Sequence, residues 1–167
     1  DVCSSDLVRD GDWKHQRRIL VAVNVSGEQE YQDEFNRELV STGMNLAENL
    51  NRGNVHLVAA YPVAPINMAI DLPEFNTSGY ENGIRGQHLI NMKALRQKFG
   101  IDEDHTHVRE GFPEEVIPEV AKEIEAELVI LGTVGRTGLS AALLGNTAEH
   151  VISKLSCNLL AIKPSKK

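Results

Sequence analysis

Four short apolar runs and one weaker, more polar segment recur along the chain, and each has the length of a β-strand. The first, residues 19–25, is almost wholly apolar and rich in β-branched side chains, which is typical of a strand buried on both faces of a parallel sheet. The other four are residues 55–61, 106–110, 128–131 and 158–163, of which 106–110 is the weakest. The pattern therefore predicts five strands.

Between these runs the apolar positions change to a helical period. Residues 28–52 carry an apolar stripe with one member every three or four residues, which predicts an amphipathic helix closed by Gly53. Residues 84–99 repeat the pattern up to Gly100 and place His88 on the apolar side.

Two further helices are predicted in the second half of the chain. Pro113 and the acidic residues after it suit the first turn of a helix, and Pro118 should bend that helix or delay its start. The last helix covers residues 147–155. Its predicted inward positions are Ala148, Val151, Ile152 and Leu155.

Strict alternation of strands and helices predicts the α/β class, with a five-stranded parallel sheet and helices on both faces. In such sheets a ligand lies beyond the carboxyl ends of the strands, where the strand order reverses. If the first and fourth strands are neighbours there, residues 24–26 and 132–135 line the crevice.

Composition excludes several classes of protein. The chain has 167 residues, of which 41% are hydrophobic and 25% charged, so it can form one globular domain. A net charge of −7 argues against a direct nucleic-acid binder, because that binding is made by Lys and Arg on phosphates. We expect no membrane span and no signal peptide. The two cysteines, Cys3 and Cys157, lack metal-ligand spacing, which fits a reducing, cytoplasmic setting.

The boundaries of the domain follow from the same patterns. Residues 1–18 are interpreted as a non-native start and a linker, because the first eight show no periodicity and no initiator Met. Residues 19–164 form the domain, and residues 165–167 are a solvated tail. An upstream domain is expected to precede the linker.

A glycine-rich stretch leaves the fourth strand and leads into the last helix. Glycine lets a backbone approach a ligand closely, and a helix start offers unpaired N–H groups and a positive dipole end to an anion. Gly132, Gly135, Gly145 and the Asn146-Thr147 pair provide these features, and Arg136 adds a forked cation suited to phosphate. The alternative is purely structural: a glycine turn followed by a helix that Asn146 caps. The residues alone leave both open.

The spacing Gly132-x2-Gly135-x9-Gly145-Asn146 resembles the signature of the universal stress protein family, Gly-x2-Gly-x9-Gly-Ser/Thr. The resemblance covers residues 17–164. Several stretches are similar to the second domain of tandem members of the family. They are residues 61–67, 84–89, 92–100, 113–118 and 132–138. The family's fold is a Rossmann-like sheet of the adenine nucleotide alpha hydrolase-like type.

The resemblance also implies a ligand, which is ATP or a related adenine nucleotide, with or without Mg²⁺. It assigns the phosphates to the glycine loop. It places Asn24 and Val25 at the nucleotide-binding tip of the first strand, and Tyr61 and Val63 near the base. Asn24 stands where the family has a carboxylate, which removes a Mg²⁺ ligand, and Asn146 stands where Ser or Thr is usual.

Three functions are compared. The first is a stress-response module that binds a nucleotide and changes its contacts with partners, without being an enzyme. The second is a non-nucleotide scaffold domain that binds an apolar ligand or a partner protein, and the third is a slow ATPase. The resemblance implies that the partner is a second domain of the same family, either the upstream half of a tandem or another copy. It implies pairing through residues 158–163, from Asn158 to Lys163.

Other residues offer weaker signals. Residues 62–83 have no clear period, and they act either as a lid or pocket wall, or only as a cover for the sheet end. His105 and His107 are interpreted as an exposed pair on a strand rather than a metal pair. His88 is interpreted as a core or interface residue. His150 either faces a phosphate or is solvated.

Overall fold

The computed structural model describes residues 3–4, 17–27, 30–50, 53–63, 77–133 and 146–164. Its strands and α-helices are labelled in chain order. The strands are β1 Cys3–Ser4, β2 Arg18–Ala22, β3 Asn54–Tyr61, β4 Thr106–Glu110, β5 Leu128–Gly132 and β6 Asn158–Ile162. The helices are α1 Glu30–Asn49, α2 Thr77–Phe99, α3 Pro113–Glu123 and α4 Asn146–Lys154, and a 3₁₀ turn occupies Glu103–His105.

The described strands form one sheet in the order β1-β6-β5-β2-β3-β4. The five longer strands are parallel, as predicted. The first and fourth predicted strands, β2 and β5, are neighbours, with Ile19 opposite Leu128 and Val21 opposite Ile130. The chain therefore reverses its winding between them, which confirms the predicted switch point.

The short strand β1 lies antiparallel against the outer edge of β6. Cys3 is opposite Ala161, and Ser4 is opposite Leu160. The edge predicted to pair with another domain is therefore partly covered by residues of this chain. An edge strand left open presents unpaired N–H and C=O groups, which β1 here blocks over two residues.

Each face of the sheet has its own apolar core. Phe35, Leu39 and Val40 of α1 and Met92 and Leu95 of α2 pack on one face, because these positions form the apolar stripe of each helix. On the other face α3 and α4 cover the sheet. The buried members of that cluster include Leu20, Val58, Val116, Ile117, Val120, Val129 and Val151. Burial on both faces explains why β2 and β5 read as continuous apolar runs.

Some predicted boundaries were wrong. Helix α2 begins at Thr77 rather than at residue 84, so the irregular stretch ends earlier than expected. Strand β2 ends at Ala22 rather than at residue 25, because β5 separates from it there. Ile152 is 45% exposed rather than inward-facing, whereas Val151 is buried, so α4 presents a narrower apolar stripe than predicted. None of the described helices is long and apolar enough to cross a membrane.

Candidate functional site

A cleft of about 420 Å³ opens where β2 and β5 separate at their carboxyl ends. Asn24 and Gly132 lie on its two sides, as the topology predicted. Its remaining walls come from the ends of β2, β3 and β5, from α1, and from the turn after β4 with the start of α3. These lining residues are Ala22, Val23, Gln32, Phe35, Leu39, Val58, Ala60, Pro62, Gly111, Phe112, Pro113, Glu114, Ile117 and Leu131.

Asn24 is exposed at the mouth of the cleft, and its main chain is held in place. Its N–H donates to Oδ1 of Asn36 at 3.1 Å, and its C=O accepts from Nδ2 of Asn36 at 2.6 Å. Its side-chain Oδ1 accepts the N–H of Ser26 at 3.1 Å. The oxygen that could face a cation is therefore already engaged by a local turn, while the Nδ2 group offers donors to a ligand.

Gly132 is the last residue of β5, and packing alone would require glycine there. A Cβ on Gly132 would clash with the ring of Phe35, lying 2.7 Å from its Cζ. The N–H of the next residue, Thr133, donates to the C=O of Ile162 at 2.9 Å. The first amide after β5 is thus bonded within the sheet, and any phosphate contact made by loop amides must come from residues further along.

The other predicted residues on the β2 and β3 sides do not line the cleft with their side chains. Val25 is buried in the core, and Tyr61 is buried with its ring 5.7 Å from that of His88. Val63 is 48% exposed. Their neighbours Asn24, Ala60 and Pro62 form the wall instead.

The remaining predicted residues belong to the glycine loop and the start of α4. Gly135, Arg136 and Gly145 lie outside the described residues. Asn146 and Thr147 are the first two residues of α4, so the helix begins one residue earlier than predicted.

The wall formed after β4 was not predicted from the sequence. Gly111 has a φ of +132°, which favours glycine, and its N–H donates to the C=O of Tyr61 at 3.0 Å. This turn brings Phe112, which is 64% exposed, and Glu114 to the cleft. The rule that ligands lie at the carboxyl ends of strands could have pointed to it, since residues 111–114 follow a predicted strand.

A second cavity of about 280 Å³ adjoins the first and shares Asn24, Ala60 and Pro62 with it. Its outer wall is the first part of α2, including Tyr80, Gly83 and Ile84. Residues 77–83 are therefore helical and include the pocket-lining Tyr80 and Gly83, whereas residues 64–76 of the same predicted segment lie outside the described residues.

A histidine cluster lies away from the cleft, near the start of β3. His56 Nδ1 is 3.2 Å from His107 Nε2, and the ring of His56 stacks on that of His105 at 4.3 Å. His105 and His107 were predicted to be an exposed strand pair. That was wrong, because His105 lies in the 3₁₀ turn, both are half-buried, and His56 lies beside them.

Two members of the cluster, His56 and His107, are disfavoured in their protonated form. Burial, followed by the neighbouring His105, His107 and Arg18, lowers the pKa of His56 to about 4. Burial and the Arg109 guanidinium lower the pKa of His107, and Arg109 is itself held by Glu123 in a bidentate ion pair. Within the residues that the structure describes, no group of three or more His, Cys, Asp or Glu is arranged to hold a metal ion.

The prediction for His88 is confirmed, and that for His150 stays open between a phosphate contact and a solvated position. His88 is buried on α2 and its Nδ1–H donates to the C=O of Ile84 at 2.9 Å, which makes it a core residue. His150 is exposed on α4.

Comparison with known proteins places these features in a family. Residues 16–163 match the model of the universal stress protein family. The chain is 95% identical over 161 residues to universal stress protein E homolog of Haemophilus influenzae, covering 96% of this chain and 52% of that protein. It is 58% identical over 158 residues to universal stress protein E of Escherichia coli K12, covering 95% and 50%.

A solved structure shares the fold. Universal stress protein UspA from Lactobacillus plantarum superposes with a TM-score of 0.61 at 19% identity, covering 89% of this chain and 98% of that chain. The chain spans about half the length of the curated relatives it matches.

Proposed function

Because this chain belongs to the universal stress protein family, we propose that it is a stress-response domain that binds ATP or a related adenine nucleotide. The nucleotide lies in the cleft between Asn24 and Gly132, and it alters contacts with partner proteins rather than being turned over. The observation that carries this proposal is the cleft itself, whose volume of about 420 Å³ at a topological switch point suits a small-molecule ligand.

The base is proposed to lie on the β3 and α3 side. Ala60 and Pro62 offer an apolar wall there, and the exposed ring of Phe112 stands at the edge. An aromatic or apolar wall suits the flat face of a purine. The carboxylate of Glu114 on this side suits a ribose hydroxyl and disfavours a phosphate, which sets the direction of the ligand.

The phosphates are proposed to lie on the β5 and α4 side. The loop with Gly135, Arg136 and Gly145 leads to the start of α4, where Asn146 and Thr147 occupy the first turn. The first N–H groups of a helix have no partner within it and attract anions. Since the Thr133 amide is already bonded to the C=O of Ile162, the phosphate contacts are proposed to come from the loop amides beyond it.

Mg²⁺ is proposed to contribute little to affinity. Asn24 has no charge, and its Oδ1 already accepts the Ser26 N–H. Magnesium prefers charged oxygen ligands, and the amide at this position cannot supply one. Nucleotide affinity should therefore change little when Mg²⁺ is removed.

Isothermal titration with ATP tests this proposal. A few hydrogen bonds to charged phosphates, each worth about 1.5–3 kcal/mol, predict a dissociation constant in the micromolar range. Gly135→Val should abolish the heat of binding because its side chain obstructs the loop, whereas Gly138→Val, in the same loop but outside the glycine spacing, should bind as the unchanged protein does. Equal affinities for the two variants would contradict the assignment. Phosphate release above background would support the slow ATPase instead.

The alternative, a scaffold that binds an apolar ligand or partner, is favoured by one observation. Among the described residues that line the cleft none is Lys or Arg, and most are apolar. A fluorescent apolar dye separates the two proposals. If ATP displaces the dye from the cleft, the nucleotide proposal stands. If the dye binds while millimolar ATP gives neither heat nor displacement, the scaffold proposal replaces it.

The proposed partner is a second domain of the same family, and the proposed location is the cytoplasm. A tandem arrangement, in which the second domain belongs to the same polypeptide, is supported by the length of the relatives, which is about twice that of this chain. The pairing surface remains the edge of β6, within residues 158–163, of which β1 covers the positions of Leu160 and Ala161. A copy or the upstream half would have to displace β1 or pair beside it.

A further inference from the structure

The segment that follows β2, residues 23–27, is held by two carboxamide side chains from different helices. Asn36 of α1 bonds both main-chain groups of Asn24, donating to its C=O at 2.6 Å and accepting from its N–H at 3.1 Å. Asn91 of α2 donates to the C=O of Val25 at 2.7 Å. Asn36 is 1% exposed, so its polar atoms lie where water does not reach them.

The pair of bonds at Asn24 has the pattern of a strand pairing. A β-strand neighbour would likewise exchange an N–H and a C=O with the strand beside it. The ladder between β2 and β5 reaches only to Val21 opposite Ile130, whereas β5 stays paired with β6 as far as Gly132 opposite Ile162. On its other side the segment keeps one bond to β3, from the Val23 N–H to the Val58 C=O at 2.9 Å. Asn36 thus fills the position that β5 has left.

Each asparagine is oriented by a glutamine one helical turn earlier. Gln32 donates to Asn36 Oδ1 at 3.3 Å, and Gln87 donates to Asn91 Oδ1 at 3.0 Å. Both pairs are spaced four residues apart, so they lie on the same face of their helix. Because each glutamine holds the Oδ1 atom of its asparagine, the Nδ2 group of that asparagine is directed at the segment after β2.

We propose that Asn36 is a positioning residue for the cleft. It replaces β5 as the strand partner of Asn24, which keeps the crevice between β2 and β5 open and fixes the Asn24 carboxamide at its mouth. Asn91 holds the next residue, and Gly27 with its φ of +77° lets the chain turn away close to Asn91. The hydrogen bonds from Asn36 and Asn91 to the main chain of Asn24 and Val25 are called the clamp. The clamp rests on the geometry alone, and only its effect on a ligand rests on the proposed function.

Hydrogen exchange tests the clamp without a ligand. In Asn36→Leu the Asn24 amide should exchange at least about tenfold faster, because its acceptor is gone, while the amides of β2 should keep their protection. Thr42→Val is the matched control, since Thr42 lies on the same helix and loses only a bond to the Glu38 C=O. If Asn36→Leu does not fold, Asn36→Asp is used instead, because the aspartate side chain has no donor for the Asn24 C=O. In that variant the amides of residues 24–26 together should exchange faster. Unchanged exchange in the variant that folds would overturn the proposal.

A double-mutant cycle tests the positioning role. The Asn36 variant that folds should weaken ATP binding roughly five- to tenfold in the unchanged background and less than about twofold in the Asn24→Ala background, because its effect passes through Asn24. Equal losses in both backgrounds would indicate a general structural effect and overturn the positioning role. If the unchanged protein binds no ATP, the proposed function fails, and the exchange experiment still decides the clamp.

Discussion

Acidification from about pH 7 to about pH 5 should destabilise the protein through His56. Burial and the neighbouring His105, His107 and Arg18 lower the pKa of this imidazole from 6.5 to about 4 in the folded state. The unfolded chain, whose His56 has its ordinary pKa of about 6.5, therefore binds the proton more readily. The stability from neutral His56 is complete above about pH 6.5 and is lost as the pH falls towards about 4.

The size of the effect follows from the two pKa values. One pKa unit is about 1.36 kcal/mol, so the fall from 6.5 to about 4 corresponds to about 3 kcal/mol when complete. At about pH 5 the unfolded imidazole is mostly protonated and the folded one mostly neutral, which gives a loss of about 2 kcal/mol. Because His56 is only 8% exposed, solvent screens little of this cost.

Urea unfolding at about pH 7 and pH 5, at constant ionic strength, measures this loss of stability. Between the two pH values the unchanged protein should lose about 2 kcal/mol more of its free energy of unfolding than His56→Gln, which cannot take up a proton. His150→Gln, which alters an exposed residue on α4, is the control and should follow the unchanged protein. Equal losses for the unchanged protein and His56→Gln would refute the reasoning.

Two further results are expected. Gly132→Ala should lower the free energy of unfolding by about 1–3 kcal/mol because its Cβ would overlap the ring of Phe35. Phe35→Leu in the same chain should recover part of this loss. If urea unfolding shows Gly132→Ala to be as stable as the parent, this packing is contradicted. Deletion of residues 1–8 removes β1, so sedimentation equilibrium should show stronger self-association through the uncovered edge of β6. Equal average masses with and without residues 1–8 would argue against that edge as the pairing surface.

The sheet could be predicted because its determinants are local and repeated. The apolar run of β2 and the glycines after β5 indicated that these strands adjoin at the switch point, and they do. The start of α2 could not be predicted in this way. Residues 62–83 show no clear period and contain Gly79 and Gly83, which disfavour a helix, yet propensity is a weak preference that tertiary packing can override.

The cleft was only partly predictable for a different reason. Asn24 and Gly132 follow from chain topology, but the walls made by Gln32 and Phe112 depend on how α1 and α3 pack across the sheet end. The partnership of His56 with His107 depends on strand register, which the sequence spacing of His105 and His107 does not contain. Long-range packing decides both features.

The proposed nucleotide site lies between the carboxyl ends of β2 and β5. A titration with ATP followed by the backbone amide resonances of the protein locates the ligand directly. The amides of Asn24, Gly111 and Gly132 are expected to shift together with those of residues 134–147 and to saturate at one common affinity. Shifts confined to other parts of the molecule, such as the cavity beside Met44 and Ile101 at the opposite end of the sheet, would contradict it.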